Sequence, residues 1–376
     1  MNFQLTEEQQ LIEQSAHDFA KEYLDPITGQ LDHTGEFPLA VGKELANHDF
    51  LGLHLPTEVG GAGAGFVSYV AVIESLSRSC AAVASIMNNQ AMVSYAIQHW
   101  GSDAQKERYV PALLKGETIG AFAIYEHGPT TGIGPDALVA TKSESGYVLK
   151  GTKAYVRNAG VAQVYVVFAV TDPADPKSLT AFVVDAGVTG LKVEAALPTM
   201  GLKGCPVAHV VFDNVVVPET AVLGAVKSGW DISTKTLALA SVAEAAQTVG
   251  IGQAAVEHAA VYAKQRVQFG KPVATLQAVQ TLLAEAATDC YLARLGLRST
   301  AQLVEDGKPF ETEAAMVKSF LARLGSKILI DTCQVEGGMG FSETMPLPRL
   351  FRDIAGTTLL DAPADFPDYA IAASIA

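Results

Sequence analysis

Cysteine is scarce and solitary in this chain: Cys80, Cys205, Cys290 and Cys333 are all that 376 residues contain. No two make a C-x-x-C pair and none stands at a Cys/His spacing for zinc, so neither a metal ribbon nor a disulfide framework is expected. Each is read as a small buried apolar residue. Basic residues are also few, 26 Lys and Arg against 40 Asp and Glu, for a formal charge of −14. A nucleic-acid partner needs a basic face; that balance argues against one but leaves room for a local basic pocket. No uninterrupted apolar run reaches the ~18 residues of a membrane span, and the N-terminus is polar and charged from Thr6 onward, without a secretory signal. A soluble cytoplasmic protein with no membrane partner is expected.

What remains is ordinary globular material, 49% apolar and 18% charged. The length exceeds what one core usually fills, so two or three domains are expected. Residues 1–116 read as mostly helix. Thr6 with Gln9 makes a capping box, followed by Leu11, Ile12, Ala16, Phe19, Ala20 and Tyr23 at helical spacing, with Pro26 ending the run. A short helix around 38–47 comes next, then a long apolar one over about 67–100. Ser102 with Gln105 caps another, which reaches Leu114. The segment Gly60-Gly61-Ala62-Gly63-Ala64-Gly65 is Gly-rich, but no strand precedes it in a dinucleotide-binding arrangement, so it reads as a plain loop.

From 117 to 226 the pattern changes to short β-branched or alternating runs between Gly, Pro, Asp and Ser turns, such as 121–124, 137–142, 147–150, 154–156, 164–170, 180–184 and 209–217. Helical periodicity returns near Trp230 and continues in runs to about 265, from 276 to 305, and from 312 to 337, with Asp306-Gly307 as one turn. The fold class expected is therefore α+β. It comprises an N-terminal helical domain (1–116), a small central β-barrel or sandwich (117–226) and a C-terminal antiparallel bundle of four-helix type (227–376).

One stretch concentrates positive charge: Tyr262–Pro272, Y-A-K-Q-R-V-Q-F-G-K-P, carries Lys264, Arg266 and Lys271 where one long helix ends and another begins. Cations at a helix C-terminus complement its dipole, which alone would explain the two lysines. Arg266 can do more, because its fixed fork of donors suits a diphosphate.

R-x-Q-F-G-K-P, with Gln277 shortly beyond, resembles the flavin-binding elbow of the acyl-CoA dehydrogenase superfamily. The resemblance extends to Gln334-Val-Glu-Gly-Gly-Met-Gly-Phe341, Arg349-Leu-Phe-Arg-Asp353, Met200-Gly-Leu-Lys-Gly204, Phe212-Asp-Asn-Val-Val-Val-Pro218 and the N-terminal L-T-E-E-Q-Q, in the right order. It implies FAD lying between the β domain and the C-terminal bundle. It also implies that Arg266, Phe269, Gln277, Gln334 and Gly338 hold the dinucleotide, Arg266 on the diphosphate of a neighbouring subunit. A homotetramer or dimer of dimers follows from that sharing. The implied reaction is dehydrogenation of an acyl thioester: a carboxylate takes the α-proton while hydride leaves the β-carbon for the flavin.

Several positions depart from the family's pattern. The base is usually Glu in Tyr-Glu-Gly-Thr; here Asp361 aligns with it, in Leu-Leu-Asp-Ala-Pro363, and the alternative is a plain loop acid. Glu244, one turn after the alternative base position at Ala240, is the runner-up, and Glu336 a weaker rival. The flavin-facing Thr-Glu-Pro becomes Tyr125-Glu126-His127, and a second flavin-facing threonine becomes Arg157, which would either stabilise a reduced anionic flavin or point to solvent. Ser241 replaces an arginine that helps hold coenzyme A; with Glu244 it marks the expected substrate side. Ser241-Val-Ala243 looks like acyl-carrier-protein dehydrogenases that oxidise short α-substituted acyl groups for polyketide extender units. Coenzyme A and acyl carrier protein are therefore both expected carriers, with an electron-transfer flavoprotein or another acceptor as redox partner. The altered residues also admit a catalytically degenerate subunit that lends half a flavin site to an active paralogue, or a flavoprotein doing non-oxidative α-carbon chemistry.

Overall fold

The computed structural model describes residues 4–127, 137–175, 178–359, 371–372 and 374–375. Helix α1, Glu7–Phe19, opens on a capping box: Gln9 N–H donates to Thr6 Oγ1 at 3.2 Å and Thr6 N–H donates to Gln9 Oε1 at 3.0 Å. Pro26 does not end the run as expected. The chain passes through a π-helical turn, Ala20–Leu24, into α2, Asp25–Thr34, where Pro26 occupies the first turn and its missing N–H costs nothing. Helices α3 (Leu39–Asn47), α4 (Gly65–Trp100) and α5 (Asp103–Leu114) follow, and Ser102 with Gln105 repeats the capping box at α5.

Helix α4 is long and apolar enough to cross a membrane, yet 89% of its most apolar window is buried inside the protein. It is the axis on which the N-terminal helices, the sheet and the bundle all pack, and it kinks at Cys80, whose φ of −146° is not helical. The Gly-rich loop before it is satisfied by its own chain. Gly61 N–H donates to Pro56 O and Gly63 N–H to Leu55 O, while Val67 N–H at the helix start donates to Glu305. The plain-loop reading stands.

Eight strands form the middle of the described chain: β1 (Gly120–Ala123), β2 (Val139–Ser143), β3 (Gly146–Arg157), β4 (Val164–Val170), β5 (Leu179–Asp185), β6 (Leu191–Val193), β7 (Val207–Val217) and β8 (Val222–Leu223). Their order is β6-β7-β3-β2-β4-β5-β8, with β1 parallel to β4 at its side. Strand β3 is one long strand where the sequence shows two runs. Register shifts at Leu149/Gly151 and Lys153/Val156 break the alternation, which is why its period could not be followed through. Val164–Val170 is buried at every position because it has a core on each face. Tyr165, Val167 and Ala169 join the sheet's own interior with Phe182 and Phe212; Val164, Val166, Phe168 and Val170 face α4 and α5.

The C-terminal part is α6 (Gly229–Gln265), α7 (Gln277–Glu305), α8 (Glu311–Glu336) and a fourth helix, α9 (Leu347–Leu359). The Arg349–Asp353 motif lies on α9 and has a mechanical job. Leu202 N–H donates to Asp353 Oδ1 at 2.6 Å, and Arg352 donates to Asp32 at 2.7 Å and to Met200 O at 3.1 Å. Two motifs far apart in sequence thus clamp one another. Helices α4 and α6 approach so closely that a Cβ on Gly250 would sit 2.2 Å from Glu74 O. Gly250→Ala is therefore expected to lose about 1–3 kcal/mol through overpacking, outweighing the ~1 kcal/mol that alanine gains in helix propensity. Gly29→Ala, in α2 with nothing within 4 Å, is expected to gain up to ~1 kcal/mol. Denaturant midpoints of the two variants should move in opposite directions.

Candidate active site

Helix α6 carries Glu244 into the seam between sheet and bundle, where its side chain is 1% exposed. Arg157 Nη2, at the end of β3, donates to Glu244 Oε1, and Lys318 Nζ, on α8, donates to Glu244 Oε2. Lys318 also donates to the backbone carbonyl of Thr357 on α9 at 2.7 Å. Thr357 and Thr248 share a hydroxyl contact of 2.9 Å, and Thr248 Oγ1 donates back to Glu244 O at 3.1 Å. One carboxylate thereby joins β3, α6, α8 and, through Lys318, the last turn of α9. Burial pushes the Lys318 ammonium below the usual lysine range, against the upward pull of Glu244.

Arg157 does not point to solvent, the second of the two expectations for it; its side chain is 4% exposed. Its position is fixed from behind. Asn89 Nδ2 on α4 donates to Arg157 O at 3.2 Å and to Gly120 O at 3.1 Å, and Asn158, at φ 59°, donates to Gly120 O at 3.1 Å. Tyr125, just past β1, puts its hydroxyl in the same region, buried and without a hydrogen-bond partner among the described residues. Burial, helped by the Glu244 charge, raises its phenol far above the ordinary value, so it stays protonated. Glu126 turns away into the sheet, where it pairs with buried Lys153 and accepts from Leu138 N–H at 3.3 Å. His127, Tyr155 and His209 form a ring cluster on the sheet's outer face, His127 and His209 at 4.4 Å between centroids.

The cationic elbow lies elsewhere. Arg266 closes α6 with its N–H on Tyr262 O at 2.8 Å; the chain then pairs Val267–Gln268 with Lys271–Pro272 across Phe269 (φ 53°) and Gly270 (φ 76°). The glycine admits the left-handed conformation without strain, and Phe269 is held out beside it, 89% exposed. Ala259, Ala263, Val273 and Val335 pack together beneath, bringing the elbow to the same end of the bundle as Gln334 and Gly338. Arg266, Phe269, Gln277, Gln334 and Gly338 are all exposed there, and a Cβ on Gly338 would meet nothing within 4 Å. A guanidinium, two primary amides, an aromatic face and open backbone are a donor set that fits a dinucleotide's diphosphate and base.

Distance separates the two clusters. Arg266 follows Glu244 by 22 positions on one helix, about 33 Å. That is well beyond the reach from a flavin ring to its own diphosphate. Glu336 is remote as well, 18 positions or about 27 Å past Lys318 on α8. It is buried, accepts from His258 at 2.6 Å, and burial raises its carboxyl above the usual range. Ser241 is half-buried on α6. Asp361 lies outside the described residues.

Sequence reading missed Lys318 altogether. Its signal was present: Ala314, Lys318, Leu321, Gly325 and Ile328 recur at helical spacing and all are buried, so a lysine occupied a core position. Glu244 is its complement, a lone acid amid small buried residues of α6 from Val242 to Gly252.

Residues 6–117, 121–215 and 227–363 match the models of the acyl-CoA dehydrogenase N-terminal, middle and C-terminal domains, respectively. A 3-(aryl)acrylate reductase of Clostridium sporogenes is 33% identical over 372 residues, covering 98% of this chain and 99% of that protein. The solved structure of butyryl-CoA dehydrogenase from Megasphaera elsdenii superposes with a TM-score of 0.95 at 31% identity, covering 100% of both chains. The structure of PigA with FAD and proline gives 0.93 at 25% identity, covering 100% of this chain and 99% of that one.

Proposed function

Because this chain belongs to the acyl-CoA dehydrogenase family, we propose that it dehydrogenates an acyl thioester between its α- and β-carbons. It is a flavin oxidoreductase, and its cofactor, FAD, supplies the hydride acceptor when bound. Asp361 takes the α-proton. Arg266, Phe269, Gln277, Gln334 and Gly338 of one chain hold the dinucleotide whose ring lies against Tyr125 and Arg157 of another. The observation that carries this reading is the buried Glu244 carboxylate with Arg157 and Lys318 on its two oxygens, because it ties β3, α6 and α8 together at one dry, charged seam.

At that seam the chain's own groups divide the work. Glu244 is a positioning residue: both its oxygens already accept from cations, so it orients Arg157 instead of abstracting a proton. Lys318 pins the Thr357 carbonyl, four positions before Asp361 in the sequence. Tyr125 offers a buried O–H donor beside Arg157. Tyr125 packs against the apolar cluster between α4, α6 and the sheet, and its hydroxyl is buried from water.

The ~33 Å between Glu244 and Arg266 supports a homotetramer or dimer of dimers, since one chain cannot supply both ends of one FAD site. Ser241, where coenzyme A binders place arginine, supports acyl carrier protein as the carrier as well as coenzyme A, with an electron-transfer flavoprotein accepting the electrons. An anaerobic screen of acyl-coenzyme A and acyl-carrier-protein thioesters, read by loss of the flavin absorbance, tests the reaction. A yellow protein bleached by none of them defeats it. One observation favours a second reading, a degenerate partner subunit: the Arg157 guanidinium is committed to Glu244. A colourless oligomer that resists FAD reconstitution would support that reading.

Arg266→Ala is expected to weaken FAD retention by about 10- to 150-fold, the loss of one charge-assisted contact worth roughly 1.5–3 kcal/mol. Gel filtration with the flavin-to-protein absorbance ratio measures it, and an unchanged ratio counts against the elbow.

A further inference from the structure

Helix α8 ends on an acid that local rules disfavour. Glu336 is its last residue, where the helix dipole already presents negative charge, and its side chain is fully buried. One oxygen accepts from His258 Nδ1 at 2.6 Å; the other, Oε2, has no partner among the described residues. His258 lies on α6, eight positions before Arg266, about 12 Å along the axis. The pair therefore ties the end of α8 to the end of α6. Beside it Val335 packs with Ala259 and Ala263, an apolar contact that holds the two helices together without needing an acid.

What the acid adds is control of the turn that follows. Gly337, at φ 61°, leads the chain out of α8 with its N–H on Cys333 O and Gln334 O. A Cβ on Gly340 would sit 2.6 Å from Cys333 O, so the turn lies against the helix end. Gln334 and Gly338 flank Glu336, two positions to either side, and both are exposed. The dinucleotide donors thus come from two segments, the elbow after α6 and the end of α8, and His258–Glu336 bonds one to the other. We propose that His258 and Glu336 are positioning residues for the cofactor: as imidazolium and carboxylate they hold the two segments in register, and loss of the imidazole proton loosens the grip on FAD. The proposal rests on the reading that Arg266, Gln334 and Gly338 hold the dinucleotide. Its sign follows from charge. A neutral His258 still donates from Nδ1, but it leaves one negative charge buried at a helix C-terminus, at the end of the bundle assigned to a diphosphate. Burial raises the Glu336 carboxyl above the usual range, as expected where the ionised form is disfavoured. Cys333 stays a thiol, because burial raises it too. On its other side His258 borders a pocket of about 590 Å³ that His17, Lys21, Asp25, Arg78 and Glu257 also line, the last two paired with each other. Histidine is the side-chain type among these whose charge changes near neutrality. Burial holds His17 below the ordinary imidazole range, so it has lost its proton by about pH 7.

The test is the FAD dissociation constant of the holoprotein, read from the fluorescence of released flavin at about pH 6 and about pH 8.5, which span the charge change of an imidazole. Wild type is expected to bind about 5- to 50-fold more weakly at the higher pH, within the roughly tenfold per pH unit that one proton allows. Glu336→Gln keeps an acceptor for His258 without the charge, so its affinity should be the same at both values. Glu336→Leu, which suits the apolar surroundings, should also be flat and serves if the amide folds poorly. His17→Gln should keep the wild-type slope. A flat wild-type profile overturns the proposal without any variant. So does a slope that survives in Glu336→Gln or Glu336→Leu, the result a purely structural acid would give, or one that vanishes in His17→Gln. Arg266→Ala, measured alongside, separates the two levels. If it retains FAD as wild type does, the elbow reading fails and this proposal falls with it; if it releases FAD while Glu336→Gln keeps the slope, only the pair's role is wrong.

Discussion

Glu244→Gln is expected to destabilise the protein by about 3–5 kcal/mol, the largest stability effect among these variants. The substitution keeps the shape of the side chain but removes its charge and turns one accepting oxygen into an NH2 donor. One oxygen is left for two buried cations, Lys318 and Arg157, both 4% exposed, and neither keeps an anionic partner there. A buried ion pair contributes little net stability against a well-packed apolar pair, because desolvating both charges offsets most of their attraction. Breaking it from one side is different, since the other charge remains buried and loses what compensated it. Glu244→Gln/Lys318→Met should therefore recover much of the loss, and the two single changes should be strongly non-additive. The comparison is made by denaturant midpoint at constant m value or, if unfolding is irreversible, by inactivation half-life. A Glu244→Gln protein as stable as wild type would mean that the seam between sheet and bundle is held by something other than this carboxylate.

The same network shows where sequence reasoning reached and where it stopped. Helices, caps and the order α, β, α were legible because the two capping boxes and the apolar periodicities are local signals, and local bonds satisfy them. Strand β3 was legible only in pieces, since its bulges interrupt the period-two pattern. The π-helical turn that carries the chain into α2, just before Pro26, left no pattern to read. The elbow could be singled out because Arg266, Phe269 and Gly270 stand in one contiguous motif. Lys318 was not, because its meaning depends on a partner 74 positions away on another helix. A lone lysine in a helical run reads as solvated until its face is known to be buried. Arg157 was found by resemblance, yet its buried partner needed three dimensions. The Arg349–Asp353 motif was legible as part of the resemblance, but that it clamps α9 to the Met200–Gly204 segment was not.

Asp361→Asn should slow reduction of the flavin by substrate at least ~100-fold and up to about 10⁴-fold, with bound FAD unchanged. Asparagine keeps the size and cannot accept the α-proton, so the change isolates proton abstraction from binding. The side chain is one methylene shorter than the family's glutamate, about 1.5 Å, and a base must come within hydrogen-bond reach of its proton. The Lys318-to-Thr357 bond at 2.7 Å fixes the chain four residues upstream of Asp361. Thr357 is held on its other side by Thr248 at 2.9 Å, so the exit of α9 is tied to the helix that carries Glu244. The rival assignment is settled with the stabilised double variant, because Glu244→Gln alone confounds folding with chemistry. If Asp361 is the base, Glu244→Gln/Lys318→Met still bleaches with substrate, more slowly because the base segment is less firmly held. A double variant that folds, retains FAD and never bleaches, together with an Asp361→Asn protein that bleaches at the wild-type rate, would transfer the proton to Glu244. The ion pair would then be a resting state that substrate must break.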